Sequence, residues 1–210
     1  MARTRALAFG PEEHFVQSLG IHTVFFSLPN HPGLDHTGQL YVSPGKAANM
    51  FAGDAGGRAR AALHFAAEEL AYDRHGTGEQ QRIVAERFTG EGWEIPRLLA
   101  QMRKSEDVWF DANVQVLMDT WSSGRVALLG DVGYCAARTS GRGTSQALNG
   151  AHVLDVDGEL AQARGDHRAG FMAYERAIRP FATEHQAVDA RARSGSSCPR
   201  PPRRYWTCSP

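Results

Sequence analysis

The most informative stretch of the sequence is Arg125-Val-Ala-Leu-Leu-Gly-Asp131. Four consecutive apolar residues, Val126 to Leu129, predict a buried strand of a parallel sheet, because strands covered on both faces are apolar throughout. Gly130 and Asp131 end this strand. A carboxylate at a strand end can accept hydrogen bonds from the hydroxyl groups of a sugar or polyol, so Asp131 is a candidate ligand-binding residue.

A second stretch, Ser140-Gly-Arg-Gly-Thr-Ser145, follows after a short loop. Gly141 and Gly143 allow the backbone to approach a ligand closely, and a helical pattern over about 143 to 163 starts beside them. The N-terminus of a helix offers N–H groups and the positive end of its dipole to an anion or an electron-rich ring. Strand, acid, glycine loop and helix together predict a unit that holds a cofactor.

This order of residues resembles the second flavin-contacting motif of the FAD-dependent aromatic and polyketide monooxygenases, the para-hydroxybenzoate hydroxylase-like flavoproteins. Further segments carry the resemblance, which covers roughly residues 2 to 192: Leu7-Ala-Phe-Gly-Pro-Glu-Glu13, Phe25-Phe-Ser-Leu-Pro29, Trp93-Glu-Ile-Pro96, Phe171-Met-Ala-Tyr-Glu-Arg176 and Arg179-Pro180. The fold it implies is α/β in the broad, α+β-like sense. A mixed, mostly antiparallel middle-domain sheet with helices is joined to the C-terminal strand–loop–helix part of an FAD-binding domain.

The resemblance also implies a cofactor, a reaction and a set of binding residues. FAD would contact Gly130, Asp131, Gly141, Arg142, Gly143 and Thr144. NAD(P)H would supply the hydride, and a flavin C4a-hydroperoxide would hydroxylate an aromatic or polyketide-like substrate. The family uses few protein acids or bases, so no catalytic residue is assigned.

Two family features are missing from the 210 residues. No G-x-G-x-x-G fingerprint for the ADP half of FAD occurs, and Ala2-Arg-Thr-Arg5 looks like the last four residues of the family's Asp-Gly…Ser-x-x-Arg motif. We therefore expect the C-terminal part of a monooxygenase. Its regions would be a substrate-domain-like region at 1–118, the end of an FAD-binding domain at 119–192, and a disordered Pro/Arg/Ser tail at 193–210.

Composition restricts the partners. Lys and Arg total 23, as do Asp and Glu, so the formal net charge is zero and gives no reason to expect nucleic acid or an anionic membrane. No apolar run approaches a membrane span and no signal peptide is recognisable, so we expect a cytoplasmic protein. The nine histidines show no metal-ligand spacing, and no metal site is predicted.

The remaining elements follow from periodicity. Residues 21–29 and 39–42 predict strands, and Val108 to Met118 alternates as a half-buried strand does. Residues 76–104 predict two helices separated by Gly90 and Gly92, and 167–190 predicts another. Residues 61–66 are ambiguous: their alanines favour helix, whereas the resemblance places a strand there.

Some residues keep two interpretations. Asp131 could simply cap a strand, and the two glycines could form an ordinary loop. Cys135 is better explained as a small packing residue than as a redox thiol, because no resolving cysteine is close in sequence. The apolar and aromatic set could be sheet core or could roof a substrate pocket: Phe25, Phe26, Trp109, Phe110, Val114, Val116 and Met118.

Three functions stay open at this point. The chain could be an FAD-binding monooxygenase fragment, a non-catalytic truncated remnant, or a module that complements a separate nucleotide-binding chain. The first predicts flavin absorbance in the purified protein, and the second predicts a colourless product.

Overall fold

The computed structural model describes residues 3–54, 56–68, 70–156, 165–194 and 204–208. The helices over these residues are α1 (Arg3–Phe9), α2 (Thr77–Arg87), α3 (Ile95–Met102), α4 (Asp131–Tyr134), α5 (Gly143–Ala151) and α6 (His167–Ser194). The strands are β1 (Val16–Pro29), β2 (Thr37–Ser43), β3 (Lys46–Ala52), β4 (Arg58–Ala66), β5 (Trp109–Val116), β6 (Ser122–Ser123), β7 (Val126–Ala127) and β8 (Arg204–Cys208). Strands and helices are mixed, which confirms the predicted fold class. None of the helices in the described ranges is long and apolar enough to cross a membrane.

The chain divides into two compact units. Unit 1 contains Met1–Leu19 and Asn113–Ser197, and unit 2 contains Gly20–Ala112 and Cys198–Pro210. The boundary differs from the division expected from sequence, because the first 19 residues join the C-terminal part of the chain.

Unit 2 is built around a sheet with the strand order β5-β1-β4-β3-β2-β8. The ladders β1–β4, β4–β3, β3–β2 and β2–β8 are antiparallel. Alternate residues of these strands enter one hydrophobic core with the apolar stripes of α2 and α3. Its larger side chains are Val24, Phe26, Leu28, Tyr41, Met50, Leu63, Phe65, Val84, Phe88, Ile95, Leu98, Met102 and Phe110.

Unit 1 has a separate core, formed where α6 packs on the chain around β7. Its buried members are Val116, Met118, Trp121, Leu128, Tyr134, Tyr174, Ile178 and Ala182. The side chain of Arg179 lies over the ring of Trp121, 4.3 Å from its centroid, and hydrogen-bonds the carbonyls of Met118 and Asp119. These contacts attach α6 to the segment that precedes β7.

The structure confirms most of the remaining elements. The strands predicted at 21–29, 39–42 and 108–118 are present, as are the two helices in 76–104 and the helix from 167. Residues 61–66 lie in β4, which decides the ambiguity for strand. Strand β3, which no pattern predicted, pairs with both β2 and β4.

The prediction of a buried parallel strand over 125–131 is wrong. Only Val126–Ala127 is a strand, half-buried and antiparallel to Ser122–Ser123. Gly124, with a φ of 59°, reverses the chain direction just before this strand. The apolar run therefore pairs with the residues that immediately precede the turn, and the two form a short hairpin. Asp131 is not the end of a strand but the first residue of α4.

Two further segments differ from expectation. Helix α5 ends at Ala151 and continues as one π-helical turn over His152–Val156, while 157–164 lies outside the described residues. The tail predicted to be disordered is helical to Ser194 and forms β8 over Arg204–Cys208, and its other residues lie outside the described ranges. The open edge of β2 explains β8, since an unpaired strand edge is a template for an extended segment.

Candidate functional site

Gly130 makes the turn on which the candidate site is built. Its φ and ψ are 70° and −142°, a conformation that essentially only glycine adopts. The N–H groups of Gly133 and Tyr134 both donate to the Gly130 carbonyl at 3.0 Å. The apolar run therefore passes directly into the single turn of α4.

Glycines also hold this turn against α5. A Cβ on Gly130 would lie 3.0 Å from Cβ of Ala147, and a Cβ on Gly150 would lie 2.2 Å from the hydroxyl oxygen of Tyr134. Because neither position has room for a larger residue, the backbone of 130–134 and helix α5 approach each other as closely as their atoms allow.

Two buried tyrosines fix the strand side of the turn. The hydroxyl oxygen of Tyr174 lies 3.1 Å from the Leu128 carbonyl oxygen and 2.8 Å from the hydroxyl oxygen of Tyr134. A hydroxyl has a single hydrogen, so Tyr174 donates to the carbonyl and accepts from Tyr134. Burial raises the pKa of Tyr174 above its ordinary value, so its hydroxyl keeps the proton that it donates to the Leu128 carbonyl.

Asp131 lies at the N-terminal end of α5. Its Oδ1 atom is 3.5 Å from the position that a Cβ on Gly143 would occupy, and its side chain is exposed. The structure thus brings together the acid and the helix start that sequence analysis assigned to one site. A carboxylate beside a helix N-terminus is stabilised by the helix dipole.

Cys135 lies next to the same carboxylate. Burial raises the pKa of the Cys135 thiol, which donates to the Val114 carbonyl, and the charge of the Asp131 carboxylate raises this pKa further. This supports the packing interpretation of Cys135, because a reactive cysteine needs a lowered pKa.

The loop between Cys135 and α5 leaves its glycines accessible. Gly141 has a φ of 65°, and a Cβ added there would meet no atom within 4 Å; at Gly143 a Cβ would meet only Asp131. No side chain caps the N-terminus of α5, so the first-turn N–H groups, including that of Thr144, receive no side-chain acceptor. The backbone here has both the space and the donors for a ligand to approach, which is what a flavin would require of this segment.

Buried polar side chains support the loop from behind. The amide of Gln146 donates to the Tyr134 carbonyl at 2.9 Å, and its oxygen lies 2.8 Å from Nδ1 of His185. Arg5, only 3% exposed, donates to the Val132 carbonyl at 2.7 Å and forms an ion pair with Glu12. Sequence analysis singled out Arg5 only through its motif and did not find Gln146, since nothing in the local pattern marks a buried amide.

One of the six predicted cofactor-binding residues, Gly130, is buried and forms the turn that precedes α4. Asp131, Gly141, Arg142 and Thr144 are exposed, and Gly143 is half-buried. All six lie between the turn that precedes α4 and the first turn of α5.

Unit 2 contains a groove of about 780 Å³. Asp107 forms part of its lining and accepts hydrogen bonds from Ser105 Oγ, Ser27 Oγ and the Ser27 N–H. These bonds hold the pKa of Asp107 well below its usual range. No sequence pattern had indicated this groove.

Comparison with known proteins shows which proteins the chain is similar to. No protein-family model matches the chain. An uncharacterized protein of Mycobacterium tuberculosis is 40% identical over 185 residues, covering 88% of this chain and 49% of the relative. A flavin-dependent monooxygenase of Legionella longbeachae is 34% identical over 182 residues, covering 87% and 46%. The crystal structure of tetracycline destructase Tet(55) superposes with a TM-score of 0.81 at 34% identity, over 92% of this chain and 50% of that one.

Over most of its length the chain is therefore similar to proteins named flavin-dependent monooxygenase. The resemblance inferred from the 125–145 region is thereby confirmed. The chain spans about half the length of the relatives that it matches.

Proposed function

We propose that this chain provides the part of an FAD-dependent monooxygenase that binds the ribityl chain and ring portion of FAD, through residues 130–144. The observation that carries the proposal is the position of the Asp131 carboxylate beside the uncapped N-terminus of α5 at Gly143. Acceptor and donors lie side by side, as a cofactor with a polyol chain and an electron-rich ring requires.

Each residue has a distinct task in this proposal. Asp131 accepts hydrogen bonds from ribityl hydroxyl groups, and Gly141 and Gly143 let the backbone lie against the ring. Thr144 and Arg142 contribute N–H groups and positive charge at the helix start. Arg5 acts through the protein, because its hydrogen bond to the Val132 carbonyl fixes the turn that presents Asp131.

Residues 130–144 would hold the ribityl and ring portions of FAD, and the bound cofactor would supply the redox chemistry of hydride uptake from NAD(P)H and O₂ activation. The proposed substrate is an aromatic or polyketide-like small molecule. The likeness to tetracycline destructases at 32% and 34% identity supports a polycyclic substrate of this kind. The protein's contribution is to bind, orient and exclude water from the reacting groups.

A specific observation favours a second candidate, a module that needs a complementing chain to bind FAD. The chain matches only 49% of the M. tuberculosis relative, so contacts made by the other half of that relative have no counterpart among the matched residues. Few contacts to the ribityl and ring portions offset only part of the cost of ordering the cofactor. We therefore expect the chain alone to bind FAD weakly or not at all, with no NAD(P)H oxidation above that of free flavin.

The experiment compares two proteins. One is the chain alone, and the other is a chimera that joins it to the half of the M. tuberculosis relative that it does not match. The monooxygenase proposal predicts stoichiometric FAD and NAD(P)H oxidation in the chimera. A correctly folded chimera without FAD would refute it, and tight FAD binding by the chain alone would refute the complementing-module candidate.

A further inference from the structure

Side-chain amides hold the segment that joins α4 to α5. The carbonyls of three consecutive residues, 134–136, each accept a hydrogen bond from a glutamine side chain, and these glutamines lie 12, 51 and 21 residues away in sequence. A buried carbonyl that loses its donor is costly, so each bond restricts the path of the segment. Because the segment joins Asp131 to Gly143, these bonds also restrict the two halves of the proposed flavin site.

Two of the glutamines support each other. Nε2 of Gln115 lies 3.3 Å from the Ala136 carbonyl oxygen and 2.8 Å from the main-chain carbonyl oxygen of Gln186. Nε2 of Gln186 lies 2.8 Å from the Val116 carbonyl oxygen and 3.5 Å from that of Cys135. The N–H of Val116 also donates to the Cys135 carbonyl at 3.0 Å. Strand β5 and helix α6 are thereby attached to the segment.

The third glutamine, Gln146, connects the two halves of the site directly. It lies in α5, three residues after Gly143, and its Nε2 donates at 2.9 Å to the carbonyl of Tyr134, which is three residues after Asp131. This single bond ties the end of α4, which carries the Asp131 carboxylate, to the helix start that would receive the flavin ring.

His185 sets the direction of the Gln146 amide. Nδ1 of His185 lies 2.8 Å from Oε1 of Gln146. The Tyr134 carbonyl only accepts, so the amide nitrogen faces Tyr134 and the amide oxygen faces His185. That oxygen also only accepts, so Nδ1 of His185 carries a proton. Gln146 and His185 are 3% and 7% exposed, so water has little access to replace either partner.

Loss of the His185 donor would release the amide. The Gln146 oxygen would then be buried without a partner, which is unfavourable. Rotation of the amide to relieve this would direct its oxygen at the Tyr134 carbonyl, and two acceptors repel each other. The bond from His185 therefore favours the one arrangement that holds the end of α4 against the start of α5.

We propose that His185, through the amide of Gln146, is a positioning residue for flavin binding, which holds Asp131 and the start of α5 at the separation that FAD requires before the cofactor arrives. The inference rests on the proposed function, which assigns residues 130–144 to FAD. A segment that is already ordered raises affinity, because binding no longer bears the cost of ordering it. His185 acts through the main chain and not by contact with the cofactor.

The test substitutes His185 in the chimera described above. His185→Leu removes the donor to Gln146 and leaves an apolar side chain, and it should weaken FAD binding about tenfold in a fluorescence titration. His185→Gln supplies an amide N–H in place of the imidazole N–H and should restore most of the affinity.

Ile178→Val is the matched control on the same helix. Ile178 is 1% exposed in the core of unit 1, and loss of one methyl group weakens that core without removing a donor to residues 134–136. FAD affinity should be unchanged in this control, and a loss equal to that of His185→Leu would overturn the inference. In the chain alone, exchange of the Gly141 and Gln146 amides, which donate to the Arg138 and Arg142 carbonyls, should accelerate in His185→Leu only.

A measurement on the unaltered chain applies even if His185→Leu does not fold. The ¹H–¹⁵N spectrum of the histidine-labelled chain should show a proton on Nδ1 of His185. An unprotonated Nδ1 would overturn the inference, because the Gln146 oxygen would then have no donor there.

The titrations separate the inference from the proposed function. Equal FAD affinity in His185→Leu and the unaltered chimera, or equal weakness in His185→Gln and His185→Leu, would overturn the inference and leave the proposed function intact. A folded chimera that takes up no FAD would refute the proposed function and, with it, the flavin role of His185.

Discussion

Replacing Gly130 by alanine tests whether the turn that presents Asp131 depends on glycine. The native φ of 70° with ψ of −142° costs a residue with a Cβ about 1–3 kcal/mol. The new Cβ would also lie 3.0 Å from Cβ of Ala147, a contact that forces a small shift of α5 and adds about 1 kcal/mol. We expect Gly130→Ala to destabilise unit 1 by about 2–4 kcal/mol.

The assay combines urea denaturation with amide hydrogen exchange. Exchange of the Tyr134 and Gly133 amides, which donate to the Gly130 carbonyl, should accelerate most, because these bonds report the turn itself. The matched control is Gly78→Ala, where a Cβ in helix α2 would meet nothing within 4 Å and should be neutral or stabilising. Ala147→Gly removes the clashing Cβ but itself costs about 1 kcal/mol in a helix interior, so the steric part should be measured as the coupling between the two changes in a double-mutant cycle. Wild-type stability and unchanged exchange in Gly130→Ala would refute the reasoning.

The remaining predictions concern side chains behind the turn. Tyr174→Phe leaves the buried carbonyl of Leu128 without its donor and should cost about 1–3 kcal/mol of unfolding free energy in urea; an unchanged midpoint would contradict this. Cys135 should react with iodoacetamide more slowly than glutathione does at pH 8, because its raised pKa leaves less thiolate. The reaction rate of Cys135 should also keep rising above the pH at which the rate of glutathione levels off. Site-resolved mass spectrometry measures both rates, and a faster reaction at Cys135 would contradict the packing interpretation.

The candidate site was predictable from sequence to the extent that its signals are local. Gly130, Asp131 and Gly143 lie in a short window whose residue types are unusual together, and the structure places Asp131 beside the helix start as expected. The assignment of the six residues to FAD stays a prediction. Strand β4 was ambiguous because alanine-rich sequence carries no clear period, and only its pairing with β1 and β3 makes it a strand.

Other features depend on contacts distant in sequence. The parallel-strand prediction failed because an apolar run reports burial and not its pairing partner, whereas Gly124 before it determined a hairpin. Three hydrogen bonds join residues far apart in sequence. The separation is 39 residues between Gln146 and His185, 41 between Thr23 and His64, and 15 between Asn49 and His64. No local spacing encodes such pairs, so only the folded chain shows them.

Measuring the FAD affinity of the chimera with Asp131 and with asparagine in its place tests whether residues 130–144 form the flavin site. Fluorescence titration should give a dissociation constant roughly ten- to a hundredfold higher for Asp131→Asn than for the unaltered chimera, as loss of a hydrogen bond to a charged acceptor predicts. Asp119→Asn, which alters another exposed carboxylate of unit 1, should leave the constant unchanged. Equal FAD affinity in all three proteins would contradict the assignment of residues 130–144 as the flavin site.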